Sequence, residues 1–372
     1  MGPLRQEGAA DVRVLNFGSM NLDYVYAVDH FVRPGETIAS LSRSIKHGGK
    51  GLNQSIALAR AGAKVTHAGC VGSGGESLKE MLSENGVDVS ALKTVQEMQG
   101  HTVIQVGPDG ENAIILFGGS NECVTEEQVQ ETLAVFSAGD WLVLQNEINL
   151  LPFIVERAFE KGLKIALNPS PFNEKLKPVN LDHISWLLVN EVEAEQITGS
   201  SDPEEAWRIL HVRYPKLSVL ITLGKEGSAA FAQTEGGTES VRQRAYRVTA
   251  VDTTAAGDTF TGYFIASLME GLSLAKCMDR AAKAAAVSVT RHGAADSIPR
   301  ISEIEYGHRD RAEPTLEEAE ILYDAMWEYE TTGRTGIRCP RCGNELDISS
   351  NGASASVICK TKGCIDATRR GL

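Results

Sequence analysis

The sequence predicts an α/β fold with a mostly parallel central sheet, and three observations support this prediction. Short, mainly apolar segments recur along residues 12–301, and amphipathic segments that favour helices lie between several of them. Two other regions alternate polar and apolar residues around turn signals, which is typical of antiparallel strands. The chain then ends in a cluster of four cysteines. We therefore expect a large α/β domain, a small β lid and a C-terminal appendage.

Local patterns predict the elements of this fold in chain order. Strands are expected at residues 12–17, 66–71, 141–145, 164–168, 186–189, 218–222 and 246–251. Helices are expected at residues 53–61, 151–161 and 260–269. The lid is expected at residues 24–45 and 101–117, where RPG at 33–35 and GPDG at 107–110 supply turns.

The pattern changes at about residue 305. A polar stretch precedes Thr315, and Thr315 followed by Glu318 has the pattern of a capping box, which predicts a helix to about Tyr329. The expected domains are therefore an α/β domain at residues 12–304, a helical linker at 305–333 and a cysteine-containing tail at 334–372.

Composition and charge exclude several kinds of protein. The 372 residues carry a formal net charge of -13, which argues against a chain whose whole surface binds nucleic acid or an anionic membrane. No apolar run reaches the roughly 18 residues of a membrane span. Residues 1–11 are polar and have no apolar signal core, so we expect a cytoplasmic protein.

Residues 252–260 (DTTAAGDTF) are the strongest indication of chemistry in the chain. The small residues Ala255, Ala256 and Gly257 let the backbone approach a ligand closely. A helix that starts there presents free N–H groups and a partial positive charge, both of which suit an anion. Asp258 lies at the same point, where its carboxylate could take a proton from a substrate hydroxyl. An anion site beside a base is the arrangement that phosphoryl transfer requires.

Two further segments could hold a small polyol. In residues 48–53 (GGKGLN) the glycines let the backbone pass close to a ligand, and Lys50 and Asn53 can donate hydrogen bonds. The segment is not a P-loop, because a glycine follows the lysine where that motif needs serine or threonine. Upstream, Asn21 and Asp23 are two residues apart, which puts both side chains on one side of a strand. A glycine-rich turn before a helix and a polar strand-to-loop junction are the alternative interpretations.

In their order along the chain, these motifs resemble those of the ribokinase family of small-molecule kinases. The matching segments span about residues 12–300 and are FGSMNLD, GGKGLNQSIALARAGA, GENAIILFGGSN, NPSP, VNEVEAE, ITLGKEG, AVDTTAAGDTFTGYFIASL and VTRHGAADSIP. One such motif could arise by chance, whereas an ordered set would not. The resemblance implies a three-layer ribokinase-like fold with a β lid, and an enzyme that transfers a phosphoryl group from ATP to a small alcohol.

The resemblance also implies a role for each matching position. Asp258 would be the general base, and the anion hole would be formed by backbone N–H groups of Ala255, Ala256, Gly257 and Asp258. The sugar would be held by Asn21, Asp23, Gly49, Lys50, Asn53 and Glu147. Phosphate and Mg²⁺ would contact Asn190 and Glu193, and the nucleotide would contact Thr222, Gly224, Gly227 and Gly257. A monovalent-cation site for K⁺ would involve Asp252, Thr254, Ser288, Arg291, Gly293 and Ser297.

Two matching positions, Asn190 and Glu193, have an alternative interpretation, because they could simply form a polar helix start, where acidic residues are favoured. One position departs from the family pattern. His101 stands in a lid strand where the family commonly has an aliphatic residue; it could reach the sugar, but we expect it to face solvent.

The C-terminal cysteines form two pairs, Cys339 with Cys342 and Cys359 with Cys364. Two such pairs fit a closed, tetrahedral, structural Zn²⁺ site, and the tail weakly resembles topoisomerase-type zinc ribbons. Unliganded thiols in a flexible tail are the alternative. From residue 334 onward there are seven basic and three acidic residues, so the tail could contact nucleic acid, but a structural role is the simpler expectation.

Together these observations predict an ATP-dependent sugar kinase that converts D-ribose to D-ribose 5-phosphate. The alternatives are a kinase for another pentose, a ketohexose or a nucleoside, and, in another class, a non-catalytic sugar-binding regulator that acts through the zinc tail. Exposed lid strands would have unpaired edges, so we expect a homodimer formed through the lid.

Overall fold

The computed structural model describes residues 12–307, 314–350, 354–360 and 364–370. The chain divides into two compact units, Met1–Ile301 and Ser302–Leu372. Among the described helices, none combines the length and the apolar character that crossing a membrane requires.

The strands of the first unit are β1 (Val14–Phe17), β2 (Asn21–Ala27), β3 (Ser42–Gly48), β4 (Val65–Ser73), β5 (Leu92–Met98), β6 (His101–Val106), β7 (Asn112–Phe117), β8 (Trp141–Gln145), β9 (Lys164–Asn168), β10 (Trp186–Asn190), β11 (Ser218–Thr222), β12 (Ser228–Thr234) and β13 (Gly237–Gln243). Its helices are α1 (Lys50–Arg60), α2 (Glu76–Glu84), α3 (Glu126–Ala134), α4 (Leu151–Glu160), α5 (Glu191–Thr198), α6 (Pro203–Arg213), α7 (Ala256–Met269) and α8 (Leu274–Ser288). A further helix, α9 (Ile301–Gly307), begins at the boundary between the units.

The central sheet confirms the α/β prediction. Within the described residues its strand order is β13-β12-β11-β10-β9-β8-β1-β4-β5. The strands from β11 to β5 in this order pair in parallel, whereas β12 and β13 are antiparallel at one edge. All residues of β1 and β8 are buried. Strands that are covered on both faces need apolar side chains throughout, which is why their sequences predicted them.

Helices cover both faces of this sheet. On one face, buried residues of α3, α4, α5 and α6 join those of the strands in one hydrophobic core. On the other face, α7 packs between α1 and α8. A β-carbon at Gly262 of α7 would lie 2.4 Å from Cβ of Ala57 in α1, so the two helices approach as closely as a glycine allows. This close approach places the first turn of α1 beside the first turn of α7.

The lid is a second, four-stranded sheet in the order β3-β2-β6-β7. The expectation of purely antiparallel strands was wrong, because β2 and β6 pair in parallel. The chain leaves the lid after β3, contributes β4 and β5 to the central sheet, and re-enters the lid in the same direction. The outer pairs, β2 with β3 and β6 with β7, are antiparallel as expected.

Three predicted boundaries also differ from the structure. Residues 246–251 form no strand, because β13 is already the edge of the sheet and the chain leaves it after Gln243. The helix predicted from residue 53 begins at Lys50, directly after Gly49, whose positive φ of 93° turns the chain. The helix predicted from residue 260 begins at Ala256, so it already includes Asp258.

The second unit contains α10 (Leu316–Thr332), β14 (Leu346–Ser350), β15 (Ser354–Cys359) and β16 (Asp366–Arg370). The capping box at Thr315 and Glu318 is present at the start of α10. Buried residues of α10 share a hydrophobic core with the strands and with Cys339, Cys359 and Cys364. The helix that we assigned to a linker therefore belongs to the same compact unit as the cysteines.

Candidate active site

The candidate site lies at the carboxyl ends of β9, β10 and β11, where α1 and α7 begin. Loops at this edge of a parallel sheet are the usual location of ligand sites in α/β folds. A cavity of about 230 Å³ opens there, and its lining includes Lys50, Asn190, Glu193, Gly257 and Asp258. The structure thus brings together residues that are up to about 200 positions apart in the sequence.

Asp258 lies in the first turn of α7 and is 7% exposed. Its Oδ2 accepts a hydrogen bond of 2.9 Å from Asn53 Nδ2, and its Oδ1 accepts one of 2.9 Å from Gln54 Nε2. Both donors come from α1, which the contact at Gly262 holds against α7. The carboxylate is therefore fixed in orientation at the wall of the cavity.

The backbone before Asp258 has the geometry of an anion site. Ala255 adopts a left-handed conformation with φ 61° and ψ 8°, which ends the preceding loop and starts α7. A β-carbon at Gly257 would meet nothing within 4 Å, so this backbone faces open space. The amide of Ala256 donates to Thr253 O at 3.3 Å. The first-turn amides of Gly257 and Asp258 are the ones best suited to receive an anion.

Lys50 and Glu147 are partly buried neighbours at the same site. The Lys50 amide donates to Glu147 Oε2 at 3.1 Å, and the hydroxyl of Ser19 donates to the same oxygen. Burial acts to lower the pKa of Lys50, but the carboxylates of Asp258, Glu147 and Glu193 raise it overall. Burial also raises the pKa of Glu147, against the opposing effects of Lys50 and Ser19. The lysine therefore keeps a positive charge in the cavity wall.

The lid side of the site is built on β2. Asn21 Oδ1 accepts a hydrogen bond from Asn121 Nδ2 at 2.8 Å, and Asp23 Oδ1 accepts one from Thr102 Oγ1 at 2.6 Å. Burial raises the pKa of Asp23, and the bond from Thr102 opposes that shift. A second cavity, of about 210 Å³, is lined by Asn21 and Asn121 together with Glu147. Asn21 and Glu147, which are both predicted to hold the sugar, therefore line the same cavity.

Asn53 has one polar atom that the fold leaves without a partner. Its Nδ2 donates to Asp258, whereas its Oδ1 is buried and has no hydrogen-bond partner among the described residues. Buried acceptors without partners are rare, and this one belongs to a side chain that is bonded to Asp258, so a donor on a ligand could suit it.

Asn190 and Glu193 form a complete capping box at the start of α5. Glu193 N donates to Asn190 Oδ1 at 2.8 Å, and Asn190 N donates to Glu193 Oε2 at 3.1 Å. The interpretation of a polar helix start is therefore correct for the local structure. Both residues also line the cavity that contains Asp258, so the capping role does not exclude a role in binding.

A third cavity, of about 350 Å³, adjoins the first and shares Thr222, Thr253 and Gly257 with it. The remainder of its lining is mainly apolar, and it includes residues from β11, α7 and α8 and from the segment 246–251 that we predicted as a strand. Gly224 and Gly227 also line it. An apolar cavity next to an anion site is suited to the flat base of a nucleotide.

The residues predicted for a monovalent cation lie around two loops that hydrogen bonds join. The Asp252 carboxylate accepts from Thr254 N at 2.9 Å and from Gly293 N at 3.0 Å. Val251 N and Asp252 N both donate to Val289 O, at 2.7 and 3.2 Å. Burial would raise the pKa of Asp252, but the hydrogen bonds that its carboxylate accepts from Thr254 and Gly293 outweigh burial and lower the pKa.

The other predicted cation residues follow the end of α8. Arg291 N donates to Ser288 O at 3.0 Å, and Ser297 Oγ donates to Ala294 O at 2.8 Å. Ser288 and Ser297 are both buried. The segment between them is joined to Asp252, in the loop that leads to the anion site, by the hydrogen bond from Gly293 N.

The four C-terminal cysteines converge as predicted. Their sulfur atoms all lie within 4.8 Å of one another. Cys339 Sγ is 3.5 Å from Cys364 Sγ, and Cys342 Sγ is 3.4 Å from Cys359 Sγ. Four thiolates around Zn²⁺ at about 2.3 Å would lie at comparable separations, so the donor set fits a tetrahedral zinc site.

Sequence reasoning missed several residues of the active site. Ser19 and Asn121 contact predicted sugar residues, and Gln54 contacts Asp258 directly. Gln54 follows Asn53 in the glycine-rich motif, which was the one available signal. The expectation that His101 faces solvent was also wrong. Its ring is half-buried, with centroids 5.7 Å from Tyr24 and 5.0 Å from Phe117, which is its partner on β7.

Comparisons with known proteins agree with this geometry. The family model "pfkB family carbohydrate kinase" matches residues 12–301. The chain is 38% identical over 291 residues to a ribokinase of Haemophilus influenzae, which covers 76% of this chain and 94% of that protein. It resembles the crystal structure of Cryptococcus neoformans ribokinase in complex with ADP, with a TM-score of 0.69, 34% identity, and coverage of 80% of this chain and 100% of that one. It also resembles Arabidopsis thaliana ribokinase complexed with ribose and ATP, with a TM-score of 0.70, 28% identity, and coverage of 79% and 98%.

The chain therefore belongs to the pfkB family of carbohydrate kinases. This membership confirms the predicted ribokinase-like fold and the predicted activity class, an ATP-dependent sugar kinase. The second unit lies beyond the residues that the family model matches.

Proposed function

We propose that the protein phosphorylates the 5-hydroxyl of D-ribose with ATP, and that Asp258 is the general base. The observation that carries this proposal is the buried Asp258 carboxylate, which two amide groups orient at the wall of the cavity where α7 begins. A base within reach of a bound hydroxyl and beside an anion site supplies both requirements of the reaction.

In the proposed reaction, Asp258 takes the proton of the sugar hydroxyl while that oxygen forms a bond to the γ-phosphorus. The bond between the γ-phosphorus and the bridging oxygen breaks, and ADP leaves. The first-turn amides of Gly257 and Asp258 and the positive end of α7 stabilise charge on the transferring group. The charged Lys50 adds a positive charge to the same cavity.

Polar lining supports a small polyol as the acceptor. Asn21 and Glu147 line one cavity and Lys50 lines the cavity that contains Asp258, and each can bond a hydroxyl. Asp23 and Asn53 could do the same, and the unpartnered Oδ1 of Asn53 suits a hydroxyl donor. The relatives named above are ribokinases, and the Arabidopsis structure holds ribose and ATP. A nucleoside acceptor would need an apolar surface for its base on this side of the site. The apolar cavity lies instead on the nucleotide side.

Two cations fit the residues around the phosphate region. Asn190 and Glu193 provide oxygen atoms of the kind that Mg²⁺ prefers, and Mg²⁺ would supply charge neutralisation on the phosphates when bound. Asp252 and carbonyl groups of the loops at 252–254 and 288–297 would hold K⁺. Because residues 252–254 lead directly into Ala255, an ion held there would order the anion site.

The four cysteines of the second unit would hold a structural Zn²⁺, for which their sulfur separations are suitable. The tight turn that carries Cys339 and Cys342 supports this, because Gly343 N donates to Cys339 O at 2.8 Å and Gly343 has a positive φ of 72°. Among the described residues no cysteine forms a disulfide bond, which together with the use of ATP supports a cytoplasmic location.

We also propose a homodimer through the lid. β7 is an edge strand of the lid sheet, and it exposes four consecutive apolar side chains, Ile114, Ile115, Leu116 and Phe117. Exposed apolar edges of this kind are typical of interfaces. Ile115→Lys should lower the dimer fraction in analytical ultracentrifugation, whereas Val212→Lys, on the exposed face of α6, should not. An unchanged sedimentation coefficient for the first variant would refute the lid interface.

The experiment that tests the main proposal is a coupled measurement of ADP release from MgATP with K⁺ present. The acceptors are D-ribose, 2-deoxyribose, fructose, tagatose and adenosine. Preference for ribose supports the full proposal, and preference for another acceptor keeps the mechanism but moves the substrate. Absence of turnover with every acceptor, in folded protein, would refute the assignment of this site as catalytic.

A further inference from the structure

Behind Asp258, on the side away from the cavity, lies a row of polar side chains that the reaction does not use directly. Its members are fully buried and are Asn16, Gln54, Ser55, His67 and Gln145. They lie on β1, α1, β4 and β8, between the central sheet and the helix layer. Polar groups in such a location cost stability unless they are hydrogen-bonded, so a row of five needs a reason.

Hydrogen bonds link these side chains to the base. Gln54 Nε2 donates to Asp258 Oδ1 at 2.9 Å, and Gln54 Oε1 accepts from Gln145 Nε2 at 2.7 Å. Gln145 Nε2 also donates to Asn16 Oδ1 at 3.0 Å. Asn16 Nδ2 then donates to Ser55 Oγ at 2.8 Å. The base is thus the end of a chain of side-chain amides.

The direction of every bond in this chain is determined from its two ends. At one end, the Asp258 carboxylate can only accept, so Gln54 must present its NH₂ group to it. At the other end, Asn16 Nδ2 donates at 2.7 Å to Gly51 O, which also can only accept. Gln145 must therefore donate to the oxygens of both Gln54 and Asn16. An amide flip anywhere in the chain would place two acceptors or two donors against each other.

The last member of the chain supports the same direction. Ser55 Oγ, which accepts from Asn16, lies 2.7 Å from His67 Nδ1. Its hydroxyl hydrogen can therefore point to that nitrogen. Burial lowers the pKa of His67 to about 4, so at neutral pH the ring is uncharged and its Nδ1 can accept.

We propose that Gln54 is a positioning residue for Asp258, and that Gln145 acts through Gln54 by fixing the orientation of its amide. Because both Asp258 oxygens receive amide donors from α1, the carboxylate is held in one orientation and cannot rotate away from the cavity. Without Gln145, the Gln54 amide would be free to flip and present its oxygen to the base. This inference rests on the proposed role of Asp258.

The test compares purified variants in the ribose assay at saturating MgATP. Gln54→Met keeps the length of the side chain but removes the donor, and kcat should fall about 10- to 100-fold while KM for ribose changes less than about threefold. Gln145→Met should lower kcat in the wild-type background but should have no further effect in the Gln54→Met background. Such non-additivity is expected only if one residue acts through the other.

A matched control separates positioning from general loss of stability. Gln128 is a buried glutamine of α3 whose Nε2 donates to Gly69 O and Ala91 O, so Gln128→Met should lower Tm and leave kcat unchanged. Should Gln54→Met fail to fold, Gln145→Glu tests the same idea with almost unchanged shape. Its carboxylate cannot donate to Gln54, so the Gln54 amide should flip and kcat should fall at least about 10-fold.

Several outcomes would overturn the proposal. These are a wild-type kcat for Gln54→Met or Gln145→Glu, additive effects in the double variant, or an equal loss of kcat in Gln128→Met. An inactive wild-type protein would instead overturn the proposed function, so the two failures are distinguishable.

Discussion

The base site of the first unit and the cysteine cluster of the second are held in place by different interactions. Asp258 is buried and is fixed by hydrogen bonds from Asn53 and Gln54. Three of the four cysteines, Cys339, Cys359 and Cys364, are themselves members of a small hydrophobic core, and the sulfur atoms contact one another.

This difference shows which interactions stabilise each site. In the first unit a large apolar core supports a polar site, and catalysis can use that rigidity. In the second unit, burial raises the pKa of Cys339 and Cys364. Thiolates are therefore unfavourable there unless a cation compensates them. We expect metal to be part of the fold in the second unit, whereas in the first it is needed only for the reaction.

The largest expected effect is the loss of metal from the second unit. The protein should contain one Zn²⁺ per chain, and Cys339→Ser should abolish it and unfold residues 316–370, because such sites contribute about 10 kcal/mol to folding. Elemental analysis and hydrogen exchange measure the two effects. Cys277→Ser, at a buried cysteine of α8, is the control and should keep the zinc. If metal-free protein still protects the amides of α10 from hydrogen exchange, the second unit folds without metal and the proposed difference between the two units is wrong.

The next largest effect concerns the base itself. Asp258→Asn keeps the shape but cannot take the proton, so kcat should fall about 10²- to 10⁴-fold. Ribose and ATP should still bind, as isothermal titration calorimetry can measure, because the surrounding hydrogen-bond donors remain. Turnover within a factor of about three of the wild type would show that another group is the base.

A smaller effect is expected on the phosphate side of the cavity. Glu193→Gln removes a charge from the wall but keeps the size of the side chain, so kcat/KM for MgATP should fall about tenfold, equivalent to about 1.4 kcal/mol. Glu191→Gln, at an exposed position in the same helix turn, is the control. Equal effects of the two changes would indicate that only the negative charge at the start of α5 matters, and not the position of Glu193 at the cavity.

The smallest effect is a pH dependence on the lid side. Burial raises the pKa of Asp23, so as the pH falls this carboxylate takes up a proton at a higher pH than an ordinary aspartate. Protonation removes an acceptor for the sugar, and KM for ribose should therefore rise toward mildly acidic pH. Thr102→Val removes the hydrogen bond that lowers this pKa, which should move the rise in KM to a still higher pH. If the KM profile is the same in Thr102→Val and wild type, Asp23 is not the titrating group.

Much of the fold could be predicted from the sequence because its signals are local. β8 and β11 are mainly apolar because helices cover both of their faces, and the capping box at Thr315 is complete within four residues. The segment 246–251 shows the limit of such patterns. Its alternation resembles a strand, yet its apolar residues line the cavity beside α8 because the sheet has already ended.

The site could be predicted only where its residues belong to contiguous motifs. Asp258, Lys50 and Asn53 were found in this way. Gln145 was not, because nothing local to a strand reading WLVLQ indicates that its last side chain will meet Gln54, 91 positions away. The parallel pairing of β2 with β6 was missed for the same reason, since it depends on the path of the chain between them.

The free Oδ1 of Asn53 has a thermodynamic consequence for the sugar. A buried acceptor without a partner destabilises the folded protein by about 1–3 kcal/mol relative to one that is bonded. If ribose binds here as proposed, a hydroxyl that donates to this oxygen would remove that penalty and so add to the binding free energy. The same Asn53 side chain holds Asp258, and recognition of the acceptor and alignment of the carboxylate are therefore one event.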